Sequence, residues 1–197
     1  MTAPEAVWGL VLAGGKSRRM GSDKALLVQD GETQLSRAVG LLAEHVDRVF
    51  VSTRADQGGD PERKKFEQIV DRYEDMGPVA GILSAMDTNN EVSWLILACD
   101  LPNIDDATIA CLLEQCSADH PVTAYKSVHD DLPEPLCAIY RPDSRAVILS
   151  FVKQGIICPR KMLIDSDTKL LEQPNPGALH NINSPEDLAG TGIETGL

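Results

Sequence analysis

The stretch VWGLVLAGGKSRRMGSDKALL, Val7 to Leu27, decides the fold. It opens on an apolar run, passes without a break into the adjacent glycines Gly14 and Gly15, and then carries Lys16, Arg18, Arg19 and Lys24. A short continuous apolar run bounded by turn residues reads as a strand buried on both faces. In an open α/β sheet, ligands sit beyond the carboxyl ends of the strands, which is where this basic loop begins. Without side chains at Gly14 and Gly15, backbone N–H groups can approach an oxyanion and form a concave nest of donors. Arginine adds paired donors and lysine a compact charge, so four cations suit a triphosphate better than a monophosphate.

Outward from this stretch, apolar runs alternate with segments of helical period. Strands are expected at residues 7–12, 48–52, 68–70, 93–98, 122–126 and 136–140. Between them, Leu35, Val39, Leu42 and Val46 make one apolar helical stripe; Val79, Ile82, Leu83 and Met86 make a second; Ile109, Leu112, Leu113 and Cys116 make a third. Pro78 and Pro142 suit first-turn positions, Gly155 suits a helix C-terminus, and Ser184 with Pro185 reads as a helix start. The segment GGDPERKK, Gly58 to Lys65, reads as an exposed loop. The expected fold class is α/β: a mostly parallel central sheet with helices on both faces, a three-layer α/β/α sandwich in a single domain spanning residues 1–197.

Charge narrows the function. With 30 Asp and Glu against 18 Lys and Arg, the formal net charge is -12, which argues against nucleic acid and against an anionic membrane as partners. The longest apolar runs fall well short of the roughly 18 residues a membrane span needs, so a soluble cytoplasmic protein is expected. Five cysteines at irregular spacings, with no CxxC pair, indicate buried reduced thiols rather than a disulfide framework or a structural zinc.

Two familiar phosphate loops fail to match. A Walker A loop needs a glycine five positions before Gly15, and Leu10 stands there; the dinucleotide fingerprint fails because no glycine follows Gly15 until Gly21. The loop from Leu12 to Lys24 instead resembles the signature LAGGxSxRMGxDK of the molybdenum cofactor guanylyltransferases, within the wider nucleotidyltransferases of Rossmann-like, glycosyltransferase-A-like fold. Every fixed position of that pattern is present, and Asp23 resembles the guanylyl branch, where the related cytidylyltransferases typically carry proline.

Asp100 follows the apolar run WLILAC. Its place at a strand end suits either a Mg²⁺ ligand, with phosphates and water completing the shell, or a turn or helix-cap aspartate. The resemblance favours the metal: Asp100 and Pro102 match the family's DxP element. Asp105 and Asp106 read as the start of the next helix. The segment from Asp71 to Met86 resembles the family's D…GPLAGI element, which implies nucleotide contacts from Asp71, Gly77, Pro78 and Gly81; Val79 stands where leucine is usual. EPLCAIY and HNINSPEDL resemble the family's C-terminal elements, where Asn181 and Asn183 either face the second substrate or serve only as turn residues. Arg141, Lys153, Arg160 and Lys161 are candidates for that substrate's phosphate. One departure stands out: Ser52, Thr53 and Arg54 occupy the region where guanylyltransferases often place a nucleoside-contacting asparagine.

The resemblance implies transfer of GMP from GTP to molybdenum-molybdopterin with Mg²⁺ as cofactor, the N-terminal half binding nucleotide and the C-terminal half the acceptor. Arg19, Lys24 and Asp100 are the implied catalytic residues, with Asp100 holding the metal. Leu12, Ala13, Gly14, Gly15, Arg18 and Lys24 are the implied phosphate-binding set. Molybdopterin-handling proteins and molybdoenzyme chaperones are the implied partners. Rival readings are a relative that uses CTP or a sugar or polyol phosphate, and a nucleotide-binding protein without catalysis.

Overall fold

The computed structural model describes residues 6–15, 23–182 and 193–194. In chain order the elements are β1 (Val7–Leu12), β2 (Val28–Gln29), β3 (Glu32–Thr33), α1 (Gln34–Ala43), β4 (Val49–Thr53), β5 (Gln68–Val70), α2 (Pro78–Thr88), β6 (Ser93–Ala98), α3 (Asp106–Glu114), β7 (Val122–Lys126), β8 (Pro133–Tyr140), α4 (Ser144–Lys153), α5 (Pro159–Ile164), β9 (Thr168–Leu171) and β10 (Ile193–Glu194). Seven strands form the central sheet in the order β5-β4-β1-β6-β8-β7-β9. Only β8 runs against the others, pairing antiparallel with β6 and β7, while the remaining neighbours are parallel.

The alternation of side chains along each strand builds two cores. Val11, Val51, Leu95 and Leu97 point to one face and meet Leu35, Leu42, Ile109 and Leu112 of α1 and α3. Leu10, Phe50, Trp94 and Ile96 point to the other and meet α2, α4 and α5 through Ile82, Leu83, Ile148 and Met162. The expected three-layer α/β/α sandwich is therefore the observed one. Burial on both faces explains why β6 is apolar throughout, with no alternation to read. A small second sheet, β10-β2-β3, covers Leu27, Ile182 and Ile193.

Local chemistry sets the element ends. Thr33 accepts the Ser36 N–H at the start of α1, and Asp105 accepts the Thr108 N–H at 2.9 Å at the start of α3, the role expected of it. Gly155 follows α4 at φ +76, as a C-terminal glycine should. Pro142 lies two residues before α4 instead of in its first turn. β9 was not foreseen: it is a four-residue edge strand, TKLL, too short and too polar to register as an apolar run. β8 begins three residues earlier than expected, because the prolines at 133 and 135 mask a strand that accommodates them through a bulge. There, Ala124 pairs with Ala138 and the next residue, Tyr125, pairs with Glu134. Among the described residues no helix is long and apolar enough to cross a membrane.

Candidate active site

The strand order reverses between β1 and β6: the chain leaves β1 for β4 on one side and returns to β6 on the other. Such a switch point opens a crevice beyond the carboxyl ends of the two strands. A cleft of about 800 Å³ lies here. Leu12, Ala13, Gly14, Gly15 and Lys24 line it from the first loop, Asp71, Gly77, Pro78 and Gly81 from the approach to α2, and Asp100 from the end of β6. Three separate stretches of sequence thus converge on one cavity.

Lys24 and Asp100 meet on its wall, Nζ to Oδ2 3.0 Å, and both side chains are about one-fifth exposed or less. Asp23 positions Lys24: its Oδ1 accepts the Ala25 N–H at 3.1 Å and so caps the short 3-10 turn of Lys24–Leu26. On the β4 side, Ser52 donates its hydroxyl to Asp71 Oδ1 at 2.7 Å, and a side chain on Gly14 would come within 3.2 Å of Asp71 Oδ2. Burial pushes the Asp71 carboxyl above the usual range, opposed by the Ser52 hydroxyl and the nearby Arg54 charge. Arg54 is held against the wall by Asp56 and by the Gly14 carbonyl.

The start of α2 is shaped by two glycines. Gly77 has φ 54 and ψ -136, a conformation that side chains oppose. Gly81 packs so closely on the strand ends that a Cβ there would lie 2.4 Å from Ser52 Oγ and 2.7 Å from Leu12 Cδ2. Its small size therefore serves helix-on-sheet contact directly beneath the cleft.

A second pocket of about 170 Å³ adjoins the first, sharing Ala98, Asp100 and Leu136. Asn181 and Arg160 line it, and the bulge in β8 contributes Pro135, Leu136 and Cys137. The Ile182 N–H donates to the Asp100 carbonyl at 3.0 Å, which fastens the Asn181 segment beside the carboxylate.

Arg160 is the one acceptor-phosphate candidate at either pocket. It bridges Asp130 and Glu134. Arg141 lies at the wrong end of the sheet: β8 is antiparallel, so its last residue, Tyr140, pairs with Trp94 near the start of β6. Lys153 and Lys161 line neither pocket. Arg18, Arg19 and Asn183 lie outside the described residues, as do Lys16 and the Ser184 helix start.

Two expectations need correction. The charged segment ending at Lys65 is not wholly exposed, because Arg63 is buried, 1% exposed. Its Nη2 donates to the Ala13 carbonyl at 2.8 Å and to Asp23 Oδ2 at 2.7 Å. Nothing in a run of charges distinguishes Arg63 from its neighbours, since its partners stand 40 and 50 residues away. The cysteines are free as expected, yet only Cys99 and Cys137 are buried, and Cys158 is exposed.

Residues 9–169 match the MobA-like NTP transferase domain. The chain is 39% identical over 181 residues to the "Molybdenum cofactor biosynthesis bifunctional protein" of Synechocystis sp., covering 92% of this chain but only 52% of that longer protein. It is 30% identical to the "Probable molybdenum cofactor guanylyltransferase" of Nostoc sp., covering 91% of this chain and 87% of the relative. Among solved structures, molybdopterin-guanine dinucleotide biosynthesis protein A from Archaeoglobus fulgidus superposes with a TM-score of 0.75 at 22% identity, over 93% of this chain and 96% of that one, a likeness of fold. The family match over most of its length and the Nostoc relative together establish that this chain belongs to the MobA-like NTP transferases.

Proposed function

We propose that the protein transfers GMP from GTP to molybdenum-molybdopterin, forming the guanine dinucleotide form of the cofactor and releasing pyrophosphate. The observation that carries this reading is the meeting of two pockets at one carboxylate: the larger cleft and the smaller pocket share Asp100. A two-substrate transfer needs such a junction, with the nucleotide on one side and the acceptor on the other. On this reading residues 1–197 act as one nucleotidyltransferase domain, its N-terminal half supplying Gly14, Lys24 and Asp71 and its C-terminal half Arg160 and Asn181.

In the reaction, an oxygen of the molybdopterin phosphate bonds to the α-phosphorus of GTP, and the bond from that phosphorus to the bridging β-phosphate oxygen breaks. The nucleophile is already an anion, so the chain needs no strong base. Its work is alignment and charge neutralisation. The Ala13 N–H is engaged by the Ser52 carbonyl, so the backbone N–H groups of Gly14 and Gly15 receive the triphosphate; Lys24, with Arg18 and Arg19 from the same loop, balances the charge that accumulates on departing pyrophosphate. Asn181 orients the acceptor phosphate.

Mg²⁺ fits the donor set. Among the described residues there is no cluster of three or more His, Cys, Asp or Glu side chains for a metal. A hard cation that takes one carboxylate and completes its shell with phosphate oxygens and water suits Asp100, the carboxylate the two pockets share. When bound there it would draw electron density from the α-phosphate. The test is mass analysis of the product and pyrophosphate release with GTP, molybdopterin and Mg²⁺. Addition of one GMP per molybdopterin supports the reading; transfer from CTP alone, or to a sugar or polyol phosphate alone, replaces it.

A further inference from the structure

We propose that Arg63 is a positioning residue that ties the two ends of the basic loop together and thereby sets Lys24 in the cleft. The residue is 1% exposed and lines neither pocket, so it touches no substrate. One nitrogen, Nη2, binds both the Ala13 carbonyl, where the loop leaves β1, and the Asp23 carboxylate, where the loop ends. Asp23 spends its other oxygen on capping the turn that carries Lys24, and Lys24 reaches Asp100 at 3.0 Å. The path from Arg63 to the reacting centre therefore runs through two side chains and one capped turn.

Arg63 is itself anchored. Asp60 Oδ1 accepts the backbone N–H groups of Glu62 and Arg63 and lies 3.5 Å from Arg63 Nη1. Glu62 accepts the hydroxyls of Thr33 and Ser36 at 3.0 and 2.8 Å, locking the turn onto the start of α1. A buried charge costs desolvation that only well-placed partners offset, and here the partners are the loop's own termini. The guanidinium spreads its donors, Nη2 to Ala13 and Asp23 and Nη1 toward Asp60, whereas a lysine ammonium is a single compact charge on a flexible stem.

This inference rests on the nucleotidyl-transfer reading, and its test separates the two. Asp23→Asn retains an oxygen for the Ala25 N–H, loses the ion pair and lies at a partly exposed position, so it tests the clamp without emptying a buried site. Asp23→Asn and Arg63→Lys are expected to raise the KM for GTP at least tenfold while leaving the KM for molybdopterin within twofold. General loosening of the fold would move both. The double variant should be no worse than the worse single one, since each substitution breaks the same link. Without any nucleotide, hydrogen exchange over residues 12–15 and 23–27 should quicken in both variants while that of β6 and β7 stays unchanged. Unchanged exchange together with an unchanged KM for GTP in both variants would overturn the clamp. Wild-type protein that turns over no nucleotide would overturn the transfer reading instead, with exchange still deciding the clamp.

Discussion

Gly40 and Gly81 each lie inside a helix, and the same substitution at each should have opposite effects. Gly40 sits on the exposed face of α1, where a new Cβ would meet nothing within 4 Å. Gly81 sits in α2, where a Cβ would lie 2.4 Å from Ser52 Oγ and 2.7 Å from Leu12 Cδ2. Alanine in place of glycine inside a helix gains about 0.8–1.0 kcal/mol from propensity alone. Gly40→Ala keeps that gain. At Gly81 the required shift approaches an ångström against a short, hydrogen-bonded serine, and overpacking of this kind costs about 1–3 kcal/mol. The propensity gain is common to both variants, so the difference between them isolates the steric cost: Gly81→Ala should be less stable than Gly40→Ala by about 1–3 kcal/mol. Urea unfolding measures this as a shift of midpoint at constant slope. Displacing Ser52 also disturbs Asp71, its hydrogen-bond partner, so Gly81→Ala should weaken GTP binding and Gly40→Ala should not. Equal stabilisation by both substitutions, with nucleotide binding intact, would refute the close packing of α2 on β1 and β4.

Other outcomes follow from the same geometry. Lys24→Ala should raise the KM for GTP and lower kcat together, read from initial rates of pyrophosphate release, because its charge faces the phosphates before and during reaction. Asp71 holds its proton to a higher pH when folded than when unfolded, so it withdraws stability as pH rises from about 4 through its raised folded value. Asp71→Asn should therefore stabilise the protein at pH 7 relative to wild type, with the difference vanishing below pH 4, while weakening nucleotide binding; thermal unfolding at the two pH values checks the sign. Arg54 lies on the cleft wall and carries only donors, which suits the O6 and N7 acceptors of guanine. Arg54→Ala should cut the preference for GTP over ATP roughly 5- to 150-fold if it makes a bidentate base contact worth about 1–3 kcal/mol. Finally, burial pushes the Cys137 thiol up to about 12 and raises Cys99 as well, whereas Cys158 is exposed. A thiol reagent at pH 8 should label Cys158 first, leaving Cys99 and Cys137 until denaturant is added.

The parallel part of the sheet was legible because a strand buried on both faces leaves an uninterrupted apolar run, as WLILA does in β6. The loop after β1 was legible because its glycines and cations have no role in a core. What stayed hidden depends on partners distant in sequence. Arg63 looks like any charge in a loop until the chain folds it between Ala13 and Asp23. Arg141 looked like a phosphate ligand because a strand's direction is invisible in its composition, and β8 carries it to the far end of the sheet. Gly81 lies in the element whose resemblance implies nucleotide contacts, and what its missing side chain admits is the protein itself, Ser52 and Leu12.

The central claim is that the cleft at the switch point between β1 and β6 is a GTP site. Thermal unfolding of the protein with Mg²⁺ and each of GTP, CTP, ATP and UTP tests it most directly. A ligand at a hundredfold excess over its Kd stabilises the native state by about 2.7 kcal/mol, which for a chain of this size raises the midpoint by about 5–11 °C. That rise is expected with GTP in the wild type, a much smaller one with the other three, and its loss in Lys24→Ala. A rise with another nucleotide in place of GTP, or none with any of the four, would contradict it.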